Sequence, residues 1–419
     1  MLNMIKRYCL LIFSVSLLIL CAGCGKESAD TDGTVLHLTC WIEDMELDQL
    51  IELFEEAHPG VTIEVKAYYD ETADFSVATS RMNAELATGD SVDLYYLENT
   101  MDVMSLVNAG LLADLYPLME SDESFVAEEY YENIWESMEL NGSLYEIPAG
   151  FQIGAIVGPK TLLGERTGWT IDEFQSFVAQ QADPETVLPQ TRSYMLYCMT
   201  AYAMFDFIDV NAGTCNFDNE SFANWLEFIA SFPENVDNTV AAEAQTRSSW
   251  FSGLYEYIQR RDEFGDALQF VGFPSDNAPG PCIETLISFG ISSQTEQPEL
   301  CWEFIKTMLS QEYQEQVVAY NSFPMRKSVF EDQLSASMLP STEEGALVSS
   351  DSILGPLSQK EADQLRELVS SLSIIRFRYK DITNIIDEEA NSFFTGNKTA
   401  EDVSKIIQNR VEIYLSEHS

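Results

Sequence analysis

The chain has 419 residues, of which 69 are Asp or Glu and only 22 are Lys or Arg, so its formal net charge at pH 7 is −47. A field of that sign repels phosphate backbones and anionic lipid headgroups, which excludes nucleic acid binding. The acidic residues are scattered and never follow the spacing of a calcium-binding loop. We therefore interpret the acidity as that of a heavily solvated exported surface.

The N-terminus has the pattern of an export signal. Lys6 and Arg7 precede an apolar run at 10–20, and a run of small residues follows it. The apolar run is shorter than the roughly 20 residues that a membrane-spanning helix needs, so a permanent transmembrane helix is disfavoured. Removing residues 1–23 would take away two basic side chains and no acid.

Ala22-Gly23-Cys24 resembles the lipobox of bacterial lipoproteins, although Cys21 stands three residues before Cys24, where that family usually has Leu. The resemblance implies a signal peptide at 1–23 and diacylation of Cys24. Two acyl chains give stable anchoring, so the mature protein would be held on the extracellular face of the cell membrane. Residues 24–33 are small, polar and charged after Cys24, and we expect a flexible tether there.

Cysteine and histidine patterns predict neither a metal site nor a cofactor. The histidines do not lie at a ligand-like spacing from one another or from a cysteine. An odd number of cysteines follows Cys24, so they cannot all pair within one chain. We expect small buried side chains, with a Cys282–Cys301 disulfide left open. The five are Cys40, Cys198, Cys215, Cys282 and Cys301.

Residues 34–419 exceed the roughly 250–300 residues at which single cores stop growing, so we expect two lobes. Alternating apolar residues predict strands at 35–42 and 61–65, and a continuous apolar run predicts a third at 92–97. Helical periodicity fills both intervals, at 47–54 and 74–88. Strands that alternate with helices over so short a stretch predict an α/β fold with a parallel sheet.

Ligands of such sheets bind outside the carboxyl ends of the strands. Trp41, Glu43 and Asp44 follow the first strand, and Glu98 and Asn99 follow the third, so we expect all five on one rim. An indole ring packs on sugar C–H groups, while carboxylate and amide oxygens accept hydrogen bonds from hydroxyls. The alternatives are that Trp41 belongs to the core and that Glu98-Asn99 caps a following helix.

Several segments, taken together and in order, resemble the extracellular solute-binding proteins of ABC importers, particularly the carbohydrate-binding group that includes maltose-binding protein. The resemblance covers nearly all of the mature chain. The segments are LIELFEEAHPGVTIEV at 50–65, MNAELATGDSVDLYYLEN at 82–99, VNAGLLADLYPLM at 107–119, LNGSLYEIPAG at 140–150, GWTIDEF at 168–174, CWEFIKTMLSQEYQEQ at 301–316 and NSFPMRKSVF at 321–330.

The resemblance implies a two-lobe α/β fold of the type II periplasmic-binding-protein class, in which each lobe is a mostly parallel sheet flanked by helices and joined to the other by a hinge. The first lobe would comprise 34–148 plus 278–323, and the second 149–277 plus 324–419. It further implies a monomer without catalytic residues, which captures a sugar or oligosaccharide between the lobes and delivers it to ABC permease subunits.

The remaining candidates for ligand contact depend on that two-lobe arrangement. Phe151 and Gln152 follow the predicted crossing between the lobes, where hinge-side residues meet a ligand. Trp250 and Tyr255 come from an aromatic-rich stretch of the second lobe. Phe289 and Asn321 lie in the segment that returns to the first lobe. A strand interior and a loop explain these last two equally well.

One departure from the family pattern is Gly158-Pro159, which stands where many members have Tyr-Asn after the crossover strand. Two alternatives therefore stay open. One is a binding protein for a non-sugar solute. The other is an exported lipoprotein glycosidase that uses paired carboxylates, although the sequence contains no nucleophile motif to support it.

Overall fold

The structure, a computed structural model, describes residues 33–70, 74–86, 92–98, 101, 103–276, 280–318 and 322–418. Residues 1–32 lie outside this part, and with them the predicted signal peptide, the Cys24 lipid and almost all of the tether. Asn99 and Asn321 also fall outside the described residues.

The first sheet contains the predicted β-α-β-α-β unit. Strand β1 (Thr34–Cys40) lies between β2 (Val61–Ala67) and β3 (Leu94–Glu98) and is parallel to both. The helices Met45–Ala57 and Phe75–Leu86 connect them. The prediction of a parallel sheet here is confirmed, and it places the carboxyl ends of all three strands on one edge.

Two later strands complete this sheet and bring the chain to the hinge. Strand β4 (Ile147–Pro148) precedes the long strand β5 (Gly150–Pro159) of the second sheet. The strand Ile287–Ile291 inserts antiparallel between β3 and β4, with Ile287 opposite Glu98 and Phe289 opposite Ile147. The crossing between sheets therefore lies beside the edge where β3 ends.

The second sheet is built around β5, and its pairings differ from the prediction. Four strands pair with β5: β8 (Arg247–Phe251), β9 (Leu268–Val271), β10 (Cys282–Glu284) and β12 (Phe323–Pro324). Strands β6 (Ile208–Asp209) and β7 (Thr214–Cys215) form a separate pair, and β11 is the strand Ile287–Ile291 of the first sheet. All four pairings to β5 are antiparallel. The α/β fold with sheets flanked by helices is thus confirmed, but the first sheet combines two parallel with two antiparallel pairings, and the described pairings of β5 in the second sheet are not parallel as predicted.

The remaining helices surround these sheets. They are Val103–Asn108, Tyr116–Ser121, Glu132–Glu136, Lys160–Leu163, Ile171–Ala179, Arg192–Tyr202, Glu220–Ala230, Asn238–Ala242, Leu254–Phe264, Pro298–Met308, Gln311–Tyr313, Lys327–Met338, Gln359–Ser371, Lys380–Phe394 and Ala400–His418. Thr170 and Glu173 form a capping box at the start of Ile171–Ala179. Asn141 and Gly142 both have positive φ, as a two-residue hairpin turn requires.

Three apolar clusters fill the interior. Leu36, Leu38 and Cys40 face the largest cluster, which continues across the crossing to Phe151 and Phe251 of the second sheet. A second cluster lies between helices of the second lobe, and a third lies on the opposite face of the first sheet, around Trp41. Because the largest cluster spans both sheets, the lobes share apolar packing at the hinge.

The lobe boundaries stay a prediction, but the sheets depart from it at 282–284 and at Phe323, which pairs with Phe151 of β5. Residues 282–284 were expected in the first lobe, yet they pair with Gln152–Gly154 of β5 in the second sheet. The chain therefore returns to the first sheet only at Thr285-Leu286. At the outward crossing, a Cβ on Gly150 would lie 2.9 Å from the Phe323 carbonyl oxygen, so only glycine permits this close approach.

None of the helices in the part of the chain that the structure describes has the length and apolarity that a bilayer crossing requires. Within the same residues, no group of three or more His, Cys, Asp or Glu side chains is placed to hold a metal ion. The five described cysteines are free thiols, and only Cys215 is not fully buried. The Cys282–Cys301 disulfide left open by the sequence is not formed.

Candidate functional site

Two cavities open where the two lobes meet. The first has a volume of about 390 Å³ and lies between the end of β3 and the second lobe. The second has a volume of about 560 Å³ and lies between the start of the helix Met45–Ala57 and β5. Leu286, on the returning crossing, lines both. We refer to them together as the inter-lobe cleft.

The first cavity has a wall from each lobe. Leu97, Glu98 and Met101 line it from the first lobe. Tyr197 and Thr200 face it from the helix Arg192–Tyr202 of the second lobe. The Tyr197 ring is 43% exposed although its helix packs in the core, so the ring presents an aromatic surface to whatever enters.

A buried hydrogen-bond network holds that surface in place. The Arg376 guanidinium donates to the Tyr197 hydroxyl at 2.8 Å and forms an ion pair with Glu284. Tyr202 donates to the other Glu284 oxygen at 3.0 Å, and the Trp250 indole N–H donates to the Tyr202 hydroxyl. Because Glu284 is only 2% exposed, these donors are what satisfies its charge.

A second ion pair joins the lobes directly. Arg378 donates to Glu146 at 2.6 Å, and its other terminal nitrogen lies 3.5 Å from the Thr285 hydroxyl oxygen. Glu146 immediately precedes β4 and is 3% exposed. The segment that carries both arginines runs beside β10, with Ile375 bridged to Ile283.

Glu98 has a perturbed acidity. Burial raises the pKa of Glu98 to about 7, and the nearby Asp44 carboxylate adds to the rise, while the hydrogen bond from the Ile42 amide at 3.3 Å partly offsets it. A carboxyl with this pKa can both donate and accept hydrogen bonds near neutral pH.

The second cavity lies at a helix start. Asp44 caps the helix Met45–Ala57 by accepting from the Leu47 amide at 2.8 Å, and its other oxygen accepts from the Tyr96 hydroxyl at 2.7 Å. Gln152 and Ser252 line the same cavity from the second sheet and the turn after it. Both cavities thus combine polar groups from the two lobes with apolar walls, a composition typical of small-molecule sites.

Three of the predicted contact residues line the cleft: Glu98 in the first cavity, and Asp44 and Gln152 in the second. Glu43 follows the same strand as Asp44 but is exposed and lines neither cavity. The rim expected from the parallel sheet is therefore real, but only part of the predicted set reaches it.

The structure corrects the prediction for Trp41. Its ring is 5% exposed, because Tyr69 stacks on one face with ring centres 5.0 Å apart and Phe75 packs edge-on at 5.0 Å. The ring is a core group of the third cluster and has little surface left for a ligand.

Phe151 and Phe289 are also core residues, and the prediction that they contact ligand is corrected. Both are fully buried. Phe151 stacks on Phe323 with ring centres 5.5 Å apart, and Phe289 packs against Tyr96 at 5.0 Å. Both side chains point into the shared core of the hinge because their strands alternate in that direction.

Trp250 and Tyr255 line neither cavity. Trp250 is half-buried and packs edge-on against Tyr197 at 5.9 Å, so it supports the aromatic surface from behind. Tyr255 is 61% exposed on the helix Leu254–Phe264. Aromatic density alone did not separate these rings from those that line the first cavity, such as Tyr197.

Sequence reasoning missed the second-lobe wall. Tyr197, Arg376, Arg378 and Asp387 line the first cavity but are not among the predicted contact residues. One feature of the sequence could have pointed to this wall: the segment RFRYK at 376–380 holds three of only 22 basic residues in a strongly acidic chain.

The comparisons with known proteins agree with this fold. The profile of the bacterial extracellular solute-binding protein family matches residues 49–339, well over half of the chain. The chain therefore belongs to that family, which is one of solute binders rather than catalysts. No curated protein sequence gave a match.

Solved structures share the two-lobe fold at low identity. The sugar-binding protein MalE from Xanthomonas citri is 15% identical with a TM-score of 0.61, and the match covers 92% of this chain and 98% of that one. An ABC substrate-binding protein from Listeria monocytogenes in complex with cycloalternan is 13% identical, with a TM-score of 0.58 and coverage of 92% and 100%. Maltose-bound MalE3 from T. maritima is 17% identical, with a TM-score of 0.55 and coverage of 91% and 100%.

Proposed function

We propose that this protein captures a sugar or oligosaccharide in the inter-lobe cleft and delivers it to the permease subunits of an ABC importer. The observation that carries the proposal is the first cavity, in which an exposed tyrosine ring and polar side chains from both lobes face one space. Aromatic rings pack on sugar C–H faces, while carboxyl, hydroxyl and guanidinium groups bind sugar hydroxyls.

The comparisons support a carbohydrate over other solutes. The similar structures named above include proteins bound to cycloalternan and to maltose, and one is described as an ABC substrate-binding protein. Because their identity to this chain is below 20%, they support the class of solute and leave the particular sugar to experiment.

The test is a thermal-shift and calorimetric screen of the purified protein against sugars, amino acids, peptides and polyamines. A ligand present at 100 times its Kd should stabilise the protein by roughly 2.7 kcal/mol, which raises Tm by several degrees. We expect oligosaccharides to bind at micromolar Kd, about −8 kcal/mol, and to be recovered unchanged. Sugars that fail across the panel while a peptide succeeds would contradict the carbohydrate proposal, and a hydrolysed sugar would revive the glycosidase alternative.

We further propose that a lipid on Cys24 anchors the monomeric protein to the extracellular face of the membrane. The support is the Ala22-Gly23-Cys24 junction behind an apolar run. Cells that produce the full chain with Cys24→Ala should release the protein from the membrane fraction, whereas Cys21→Ala should leave it bound. A Cys24→Ala protein that stays as firmly bound as the unchanged chain would show that something else holds it.

A further inference from the structure

The charged groups of the first cavity are unevenly paired. Six charged side chains line it: Glu98, Glu139, Asp387, Arg376, Arg378 and Lys380. Both arginines are already neutralised, since Arg376 pairs with Glu284 and Arg378 with Glu146, two carboxylates that lie behind the wall at 2% and 3% exposure. The arginines therefore act as hydrogen-bond donors without excess positive charge.

The acids that face the cavity lack such partners. Among the described residues, neither Glu98 nor Asp387 forms an ion pair with a lysine or arginine, and no cation contributes to the acidity of either. Glu139 accepts a hydrogen bond from the neutral Tyr116 hydroxyl. Three carboxyl groups therefore face a single uncancelled cation, Lys380, in a protein whose overall field is already strongly negative.

A separate observation points to a polar ligand in this space. Thr200 lines the cavity at 3% exposure, and within the described part of the chain its hydroxyl has no hydrogen-bond partner. A buried hydroxyl without a partner costs about 1–3 kcal/mol, which a ligand hydroxyl can offset. Beside it, the Tyr197 ring, over which the Arg376 guanidinium already lies 5.2 Å from the ring centre, offers an aromatic surface for packing against sugar C–H groups.

From this arrangement we infer that the captured solute carries a positively charged amine, which Glu98 and Asp387 bind while Thr200 and Tyr197 contact its hydroxyl groups and ring. An amino sugar oligosaccharide has all of these features. The inference rests on the proposed function, because it names the charge class of the solute for the same cleft. A neutral sugar would leave both carboxyl groups without a cation in a partly dehydrated space.

The test compares two tetrasaccharides of the same β-1,4-linked glucose backbone: one with an amine at each C2, and cellotetraose, which has a hydroxyl there. Calorimetry on the full-length purified protein at neutral pH should show the amine form bound at least about tenfold more tightly, a difference of about 1.4 kcal/mol. The preference should shrink as ionic strength rises, because salt screens the carboxylates. Spermidine serves as an amine without sugar rings.

Variants locate the effect. Asp387→Asn and Glu98→Gln should each reduce the preference for the amine form over cellotetraose severalfold. Asp381→Asn is the matched control, since Asp381 is exposed on the same helix, Lys380–Phe394, and does not line the cavity. Thermal melting checks that each variant is folded. If the Glu98 variant does not fold, the Asp387→Asn protein is sufficient for the test, because Asp387 is exposed and its substitution should not disturb folding.

Each outcome decides between the two proposals. Cellotetraose bound as tightly as the amine form, or a preference that survives in both variants, overturns the cationic solute while leaving sugar capture intact. Spermidine bound while every sugar fails supports the cationic solute and removes the carbohydrate. Failure of both amines to bind overturns the inference.

Discussion

Arg378 of the second lobe reaches across the hinge to Glu146, which directly precedes the last strand of the first sheet, with 2.6 Å between nitrogen and oxygen. Glu146 is 3% exposed, whereas the Arg378 side chain is 25% exposed. Water can therefore solvate an unpaired Arg378 better than an unpaired Glu146. We expect removal of Arg378 and removal of Glu146 to have unequal effects on stability.

We expect Arg378→Met to lower the free energy of unfolding by about 3–5 kcal/mol, because it leaves a buried carboxylate without its cation. Glu146→Gln should cost less, since water can reach the released guanidinium, and the double variant should recover part of the Arg378→Met loss. Urea unfolding of the three proteins measures this. Equal losses for both single variants would contradict the assignment of Glu146 as the buried partner.

Glu98 should make stability depend on pH. Its pKa of about 7 in the folded protein lies above the usual value of about 4.3, so between these two pH values the folded state binds more protons than the unfolded state. Stability attributable to this group therefore falls as pH rises from about 4.5 to 7, by about 1–3 kcal/mol given its partial exposure.

The check is the difference between the unchanged protein and Glu98→Gln in urea unfolding across that range. Gln keeps an acceptor for the Ile42 amide but does not ionise, so the unchanged protein should lose stability relative to the variant as pH rises. The titratable groups near Glu98 include Cys40, Asp44 and Tyr96, which both proteins retain. Parallel stability curves would mean that Glu98 does not titrate in this window.

Trp41→Ala should cost about 3–5 kcal/mol of stability, because it removes a large ring from the third apolar cluster and leaves a cavity. Phe75→Ala is the control: its ring packs edge-on against Trp41 but is 53% exposed, so it should cost only about 0.5–1.5 kcal/mol. Chemical denaturation of both measures the contrast. A Trp41→Ala protein of normal stability that loses ligand affinity would restore the ligand-contact interpretation.

Tyr197→Ala should weaken ligand binding by roughly 1–3 kcal/mol, because the exposed ring is the aromatic surface of the first cavity. Tyr197→Phe keeps the ring and removes only the hydroxyl that accepts from Arg376, so it should lose less ligand affinity than Tyr197→Ala. Tyr255→Ala, also a solvent-exposed tyrosine but outside both cavities, should leave affinity unchanged. Calorimetry with a ligand from the sugar screen decides, and equal losses at Tyr197 and Tyr255 would argue against the assignment.

Ligand binding should close the two lobes, because a solute that contacts both walls binds the closed arrangement better and shifts the population toward it. Small-angle scattering with saturating ligand should give a smaller radius of gyration than without it. An unchanged radius would show that the cleft accepts its ligand without lobe movement.

Local patterns in the sequence determined the first lobe well. Alternation of apolar residues at 35–42 predicted the strand whose Leu36, Leu38 and Cys40 enter the core. The rule that ligands bind outside the carboxyl ends of parallel strands also selected Asp44 and Glu98, which line the cleft. These features depend on neighbours within a few residues or on one regular unit, so the chain itself specifies them.

Only the tertiary structure decided which side chains face the solute. Trp41 follows a strand at the correct edge, but Tyr69 and Phe75 cover it. Tyr197 belongs to an aromatic stretch, and only the tertiary packing leaves its ring 43% exposed at the cavity. Arg376 and Arg378 come to the hinge from far along the chain, where Glu284 and Glu146 cancel their charges. Such contacts join residues distant in sequence, and their burial depends on how both lobes pack, which no periodicity in the chain records.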